Sequence, residues 1–315
     1  MTSDFQWTAL REQPESNVPY RNRSMSDLDR SPDRRDRARM RKLDQLSWSA
    51  GVSFQMFGVG IGVRVNREEF LAPLISRVPM ARELNQWKGI DRLYSLVGVD
   101  AAGFQESCTS FNVLYGDTRR LADSITPADL YEAFESDLEF YVAQTTRKYV
   151  FVHAGVVAWG DRAIVIPGRS HSGKTTLVQA LLQEGATYYS DEFAVLDWEG
   201  RVHPFPRPLS VRTGQAARRI PPAHFGASTG NRSLLVGTVV LTQYTAGARW
   251  KPNTISSGQG MLGLLQNTFS ARLRPELAFE TLGRSMSRAQ VLGGTRGEAH
   301  ETAKLILMHL KQESE

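Results

Sequence analysis

The stretch IPGRSHSGKTTLVQALLQEG, residues Ile166–Gly185, decides the fold of this chain of 315 residues. It holds the full pattern G-x-x-x-x-G-K-[ST], in which Gly168, Gly173, Lys174 and Thr175 occupy the fixed positions. An apolar run precedes the pattern and an amphipathic segment follows it. This context predicts a strand, a glycine-rich loop and a helix, with phosphate bound at the helix N-terminus.

The residue types in the pattern predict a nucleotide and Mg²⁺. Backbone N–H groups next to the glycines can surround phosphate oxygens, the Lys174 ammonium can span the outer phosphates, and the Thr175 hydroxyl can reach the metal. We expect ATP, although the pattern does not distinguish it from other nucleotides. The predicted nucleotide contacts are nine consecutive residues: Gly168, Arg169, Ser170, His171, Ser172, Gly173, Lys174, Thr175 and Thr176.

Two adjacent carboxylates follow the predicted helix. Asp191 lies 17 residues after Lys174, on the strand directly after the helix, and Glu192 comes next. One of them can bind Mg²⁺ together with Thr175, and the other can accept a proton from an attacking hydroxyl. We predict Asp191 as the metal ligand and Glu192 as the base. The alternatives are that Asp191 is the base, or that one of the acids only caps a strand turn.

Composition divides the chain into three predicted regions. Residues 1–45 are a leader of interleaved basic and acidic residues, which we expect to be disordered. Residues 46–147 are a small α+β domain, with strands in VSFQMFGVGIGVRV, RLYSLVGV and FNVLYG and a long helix that starts at Pro127 after Thr126 as N-cap. Residues 148–315 are the nucleotide-binding domain, of class α/β.

Within residues 148–315, strand, loop, helix and strand follow in that order. The predicted strands include YVFVHAGVVAW, AIVIP, TYYSD and, later, LLVGTVVLTQY, and a final helix is predicted near Gly297–Lys311. The proline-rich HPFPRPLSVR and the residues after it, to about Asn231, predict a loosely structured region.

Composition also excludes several classes of protein. A single cysteine, Cys108, rules out an intramolecular disulfide and fits a reducing cytoplasm. The first residues lack the apolar run of a signal peptide, and the uncharged stretch Ser47–Val63 is too short and too polar to span a membrane. The net charge is +5, but acids interrupt the arginine-rich run Arg30–Lys42 and no aromatic residue lies there, which argues against nucleic-acid binding.

Three arginines outside the loop are candidates for phosphate or substrate binding. Planar guanidinium groups form charge-assisted hydrogen bonds to phosphate. The candidates are Arg207 and Arg212, both in FPRPLSVR, and Arg296, before the last helix.

The segments VHAGVV, GRSHSGKTT and YYSDEFAVL, in this order over about residues 149–211, resemble the catalytic domain of HPr kinase/phosphorylase and its relatives. The resemblance implies a phosphoenolpyruvate carboxykinase/HPr kinase-like P-loop fold. It also implies an active site formed by His153, Lys174, Thr175, Asp191 and Glu192. The acid pair of that family is usually Asp-Asp, whereas the second acid here is Glu192.

Other parts of the chain depart from the bifunctional members of that family. No Glu-Ile-Arg-Gly-like segment is evident between Val202 and Leu235, which argues against phosphorylase activity, and residues 1–147 do not match their first domain. The chain is more similar to HPr-kinase-related proteins, some of which accompany the modification of ribosomal peptides. The bifunctional enzymes form hexamers, so the resemblance allows a homo-oligomer for this chain.

The leading hypothesis is an ATP- and Mg²⁺-dependent kinase that phosphorylates a Ser or Thr hydroxyl of a small protein or peptide in the cytoplasm. A kinase for a small-molecule hydroxyl is the first alternative. A nucleotide-binding regulatory protein without a phosphoryl acceptor is the second.

Overall fold

The computed structural model describes residues 34–79, 89–99, 111–169, 172–213 and 216–312. Two compact units are present, Met1–Gln45 and Leu46–Glu315. In the first unit, Arg34–Asp44 form helix α1, within the leader for which we predicted disorder. The segment RRDRARMRKLD has no Gly or Pro, and Asp36 in its first turn and Arg41 in its last complement the helix dipole. The disorder prediction is therefore wrong for these residues, and the earlier part of the leader lies outside the described residues.

The second unit begins with a five-stranded sheet. Its strands are β1 (Ala50–Met56), β2 (Val59–Val65), β3 (Arg92–Val99), β4 (Phe111–Gly116) and β5 (Arg119–Ser124), in this order across the sheet. All neighbours are antiparallel except β2 and β3. The predicted strands in this region are confirmed, whereas β5, with the polar sequence RRLADS, was not predicted.

Two helices cover this sheet region, α2 (Leu71–Ile75) and α3 (Pro127–Thr145). Thr126 is the N-cap of α3 in extended conformation and Pro127 is its first residue, as predicted, but the Thr126 side chain makes no capping hydrogen bond. A hydrophobic core, here called the first core, lies between α3 and the five-stranded sheet. The apolar side chains of α3 pack into it at a spacing of four residues, namely Leu130, Phe134, Leu138 and Val142. The helix also buries three acids, Glu135, Asp137 and Glu139. Buried acids require nearby cations, which come from other elements.

An eight-stranded sheet follows in the same unit. Its strands are β6 (Tyr149–Trp159), β7 (Arg162–Pro167), β8 (Thr187–Ser190), β9 (Phe193–Asp197), β10 (Arg201–His203), β13 (Leu234–Tyr244), β14 (Asn253–Thr254) and β15 (Gln290–Arg296). The order is β10-β9-β6-β7-β13-β15-β14, and β8 also pairs with β6. Strands β7, β13 and β15 are parallel, whereas β6 is antiparallel to β7, β8 and β9.

The region that we predicted to be loosely structured contains a hairpin. Strands β11 (Leu209–Thr213) and β12 (Ala216–Ile220) pair with each other in a separate two-stranded sheet. Leu209 is fully buried, so the hairpin begins in the core. The prolines directly before β11 are the reason that the sequence did not predict this hairpin.

Four helices pack on the large sheet: α4 (Lys174–Gln183), α5 (Ser257–Leu265), α6 (Pro275–Met286) and α7 (Ala299–Gln312). In β7, Ile164 and Ile166 pack with α4 and α7, and Val165 packs in the core that contains α5 and α6. This alternation places helices on both faces of the sheet. None of the helices in the described part of the chain is both long and apolar enough to cross a membrane.

The first core contains residues from both predicted domains. Phe54 and Phe134 share it with Phe151, Phe193 and Phe205, which come from the larger sheet and the segment after β10. The two sheets therefore belong to one compact unit, Leu46–Glu315. The division at residues 147 and 148 coincides with the start of the larger sheet but not with a gap in packing.

A glycine allows β6 and α4 to approach each other. We expect Gly155→Ala to lower the free energy of unfolding by about 1–3 kcal/mol, because a Cβ at Gly155 would lie 2.5 Å from Cγ2 of Val178 in α4. The control is Gly283→Ala in α6, where no heavy atom lies within 4 Å of the new Cβ, and which should stabilise the helix by up to about 1 kcal/mol. Denaturant unfolding measures both changes, and equal midpoints for the two variants would contradict the packing argument.

Candidate active site

The glycine-rich loop, Gly168–Gly173, connects β7 to α4. The N–H of Gly168 donates to the carbonyl of His153 at 3.2 Å, which fixes the start of the loop to β6. A Cβ at Gly168 would lie 2.7 Å from Oγ of Ser172, and Gly173 has φ of 82°. The left-handed backbone at Gly173 requires glycine, whereas at Gly168 a side chain would displace the hydroxyl of Ser172. The predicted contacts Ser170 and His171 lie outside the described residues.

Lys174 is the first residue of α4 and is buried. Its Nζ donates to the carbonyl of Arg169 at 2.8 Å, so the ammonium group lies against the loop backbone. Burial lowers the pKa of Lys174, and the charges of Glu192 and Asp191 offset part of this effect. The predicted strand–loop–helix arrangement is present, with its cation at the loop.

The acid pair lies in a turn between β8 and β9. Oγ of Ser190 accepts hydrogen bonds from the N–H groups of Glu192 at 3.1 Å and Phe193 at 2.9 Å, which shapes this turn. The carbonyl of Glu192 accepts from the N–H of Ala154 in β6 at 3.1 Å. Because β6 also holds Gly168, the acids and the glycine-rich loop are attached to the same strand.

Asp191 is buried and has three polar neighbours. Its Oδ2 lies 3.4 Å from Oγ1 of Thr175 and 3.4 Å from the N–H of Ser210, and its Oδ1 lies 3.1 Å from the hydroxyl of Tyr188. Burial raises the pKa of Asp191, while the charge of Arg207 and the hydrogen bonds from Tyr188 and Ser210 lower it. The side chain is held toward the N-terminus of α4.

Thr175 and Asp191 fit a Mg²⁺ ion. Mg²⁺ prefers oxygen ligands at about 2.1 Å in octahedral geometry, which places neighbouring ligand oxygens about 3 Å apart. The two side-chain oxygens here are 3.4 Å apart. Among the described residues, no group of three or more His, Cys, Asp or Glu side chains is arranged to hold a metal ion. A metal ion at this position would therefore need further ligands besides these two side chains.

Glu192 has a different environment from Asp191. Its side chain is 40% exposed, and its Oε1 lies 3.5 Å from Nε2 of His153. Burial of the surrounding site and the charge of Asp191 raise the pKa of Glu192, and Arg207 opposes them. Burial and the charge of Lys174 lower the pKa of His153 to about 4. His153 is therefore neutral at pH 7 beside an accessible carboxylate.

Arg207 is paired with acids of α3 rather than directed at open space. Its guanidinium donates to Oε2 of Glu139 at 2.5 Å and lies 3.2 Å from Oε1 of Glu135. Its carbonyl accepts from the Tyr188 hydroxyl at 2.9 Å. Burial alone would lower the pKa of Arg207, but Glu139, Glu135 and the acid pair raise it. Arg207 thus pairs with acids of the protein itself, and its charge lowers the pKa of both Asp191 and Glu192. Its role as a phosphate or substrate ligand stays a prediction.

Glu135 and Glu139 were not predicted from the sequence. Glu135 also accepts hydrogen bonds from Arg77 and Arg219, so three arginines surround it. The available signal was the spacing of four residues between two of the five acids of α3. Acids four residues apart also occur on exposed helix faces, so this spacing does not predict buried acids.

Arg296 reaches the glycine-rich loop. Its guanidinium donates to the carbonyls of Gly173 at 3.1 Å, Ser172 at 3.4 Å and Gly297 at 3.0 Å. The side chain is buried, and burial lowers its pKa. Arg296 thus holds the loop backbone in place. Arg212 lies in β11, and its side chain is outside the described part of the chain.

The similarity of this chain to known proteins is distant. No protein-family model matches the chain, and no curated protein matches it. A solved structure of the Hpr(Ser) kinase/phosphatase from Coxiella burnetii aligns with a TM-score of 0.33 and 13% sequence identity, over 52% of this chain and 99% of that chain. At this level the match assigns neither a family nor an activity.

The charge network predicts a pH dependence of stability. Burial, opposed by Arg207 and reinforced by Glu135 and Glu192, raises the pKa of Glu139 to about 8. The folded protein therefore keeps a proton that the unfolded chain releases near 4.5, so this contribution to stability is present at low pH and is lost as the pH rises to about 8.

We expect Glu139→Gln, which cannot ionise, to gain stability relative to the wild type between about pH 5 and pH 8. Urea unfolding at several pH values measures the difference, and Glu132→Gln, at an exposed acid of the same helix, is the control. If Glu139→Gln instead loses stability relative to the wild type over this pH range, Glu139 is an ordinary ionised partner of Arg207.

Proposed function

We propose that the chain is an ATP- and Mg²⁺-dependent phosphotransferase that transfers the γ-phosphoryl group to a Ser or Thr hydroxyl of a protein or peptide. One observation carries the proposal. Lys174 and Thr175, which directly follow the glycine-rich loop, lie near two adjacent carboxylates in unlike environments: Asp191 is buried 3.4 Å from Thr175, and Glu192 is accessible beside His153.

Each group in this site has a place in phosphoryl transfer. Lys174 and the loop N–H groups would hold the phosphates, and Thr175 with Asp191 would hold Mg²⁺. When bound, Mg²⁺ neutralises charge on the phosphate oxygens. Arg296 keeps the loop backbone in position through its contacts with Ser172 and Gly173.

Glu192 would accept the proton of the attacking hydroxyl. The hydroxyl oxygen forms a bond to the γ-phosphorus, the bond from phosphorus to the bridging oxygen breaks with its electron pair on ADP, and the hydroxyl proton moves to the Glu192 carboxylate. Because its pKa is raised, chiefly by burial, the Glu192 carboxylate accepts a proton more readily than an ordinary glutamate. Neutral His153 would orient this carboxylate.

The acceptor class is drawn from the sequence resemblance and from the exposure of Glu192. A carboxylate that is 40% exposed at its side chain can meet a hydroxyl on a larger molecule. The test is incubation of purified protein with γ-labelled ATP and a library of Ser- and Thr-containing peptides, followed by mass spectrometry. Label on a small molecule would identify a metabolite kinase, and nucleotide binding without labelled product would indicate a regulatory protein.

We expect Lys174→Met to lower the rate of phosphoryl transfer at least about 100-fold, because one stabilising contact to the reacting phosphates is lost while the side-chain volume is kept. The labelled-ATP assay measures the rate. Lys148→Met, at an exposed lysine directly before β6, is the matched control and should transfer phosphoryl groups at the wild-type rate. Transfer by Lys174→Met at the wild-type rate would contradict the assignment of the phosphate site.

We expect Glu192→Gln to lower kcat by about 10²–10⁴-fold with little change in ATP affinity, because a general base is lost while the nucleotide contacts remain. Asp191→Asn should instead raise the Mg²⁺ concentration needed for half-maximal rate. Steady-state kinetics at varied Mg²⁺ separates the two. The opposite pattern would make Asp191 the base and Glu192 the metal ligand.

A further inference from the structure

An aromatic side chain lies at the end of the strand next to the glycine-rich loop. Strands β13 and β7 are parallel, with Val239 opposite Val165, so Leu241 is level with Pro167, where β7 ends. Tyr244 is three residues further along β13, about 10 Å beyond that level. The end of β13 therefore extends past the start of the loop.

Contacts with Arg296 place the Tyr244 ring beside the loop. Tyr244 and Arg296 are register partners in β13 and β15, and Cζ of Arg296 lies 5.3 Å from the centre of the ring. The same guanidinium donates to the carbonyl of Gly173 at 3.1 Å. One arginine thus contacts both the loop backbone and one face of the ring.

The ring is fixed in place but remains accessible. The Tyr244 hydroxyl donates to Oε1 of Glu298 at 3.1 Å, which fixes the far end of the ring. Even so, Tyr244 is 47% exposed. Aromatic side chains usually contribute most when buried, so an oriented but exposed ring at the carboxyl end of a parallel strand is suited to a ligand.

We propose that Tyr244 stacks on the adenine base of the nucleotide whose phosphates the glycine-rich loop binds. This inference rests on the proposed function. A tyrosine ring offers a flat surface to a base, and the cation beneath its other face adds to the attraction. Glu298 is exposed beside the ring, and its carboxylate can accept a hydrogen bond from the exocyclic amino group of adenine.

The test compares two ligands by isothermal titration calorimetry in the presence of Mg²⁺: ATP, and inorganic tripolyphosphate, which has no base. The wild type should bind ATP more tightly than tripolyphosphate. Tyr244→Leu should weaken ATP binding by about five- to tenfold and leave tripolyphosphate binding unchanged, because only the stacking surface is removed. Tyr244→Phe should retain most of the ATP affinity.

The chain offers a matched control in Trp198. Its ring also covers an arginine, with Cζ of Arg284 at 5.5 Å, and is 62% exposed. Trp198 follows β9, whose other end adjoins the acid pair, so it lies at the opposite end of the sheet. Trp198→Leu should change neither affinity.

The possible results distinguish the two proposals. Equal losses for ATP and tripolyphosphate in Tyr244→Leu would show that the ring only supports the loop, and no loss for ATP would show that it does not contact the base. Either result overturns this inference alone. A wild-type protein that binds neither ligand would overturn the proposed function and this inference with it.

Discussion

The buried charge of Arg207 is the constraint on which the arrangement of the site depends. A guanidinium removed from water needs acidic partners, and α3 supplies two from the region of the first sheet. The pKa of Glu135 is lowered, against its burial, by the arginines around it, and Glu139 accepts a hydrogen bond from Arg207. The acid pair also lies close enough to raise the pKa of Arg207. The site of the larger sheet is therefore completed by a helix that packs on the smaller one, and the aromatic core shared by both sheets reinforces this dependence.

Strand β6 connects the candidate site residues, which lie within a short length of chain between His153 and Glu192. After α4, the chain returns as β8 and β9 and pairs antiparallel to β6, on the side opposite β7. His153 is the register partner of Phe193, the residue after Glu192, and its carbonyl binds the N–H of Gly168. The 17-residue interval from Lys174 to Asp191 is thus the length of one helix and one short strand.

Local patterns were sufficient to predict β6, β7, α4 and β8 and to group Lys174, Thr175 and the acid pair in one site, because these signals lie within about 45 residues of each other. His153 was added to this group only by the resemblance to HPr kinase/phosphorylase. The partners of Arg207 could not be predicted, since Glu139 precedes it by 68 residues and nothing in the spacing links the two. Arg296 was predicted as a candidate, but its contact with the loop backbone depends on the pairing of β15 with β13. Strand β5 and the β11–β12 hairpin were missed because charged residues and prolines mask their strand pattern.

The two adjacent acids acquire different properties from the turn that contains them. Oγ of Ser190 accepts hydrogen bonds from the N–H groups of Glu192 and Phe193, so the backbone turns at the acid pair and the two side chains leave it in different directions. Asp191, with the shorter side chain, points inward to Thr175 and Tyr188. Glu192 points outward, and its extra methylene group extends the carboxylate to the ring of His153. Glutamate at this second position therefore places an accessible carboxylate beside His153, while the carboxylate of Asp191 stays buried beside Thr175 at the start of α4.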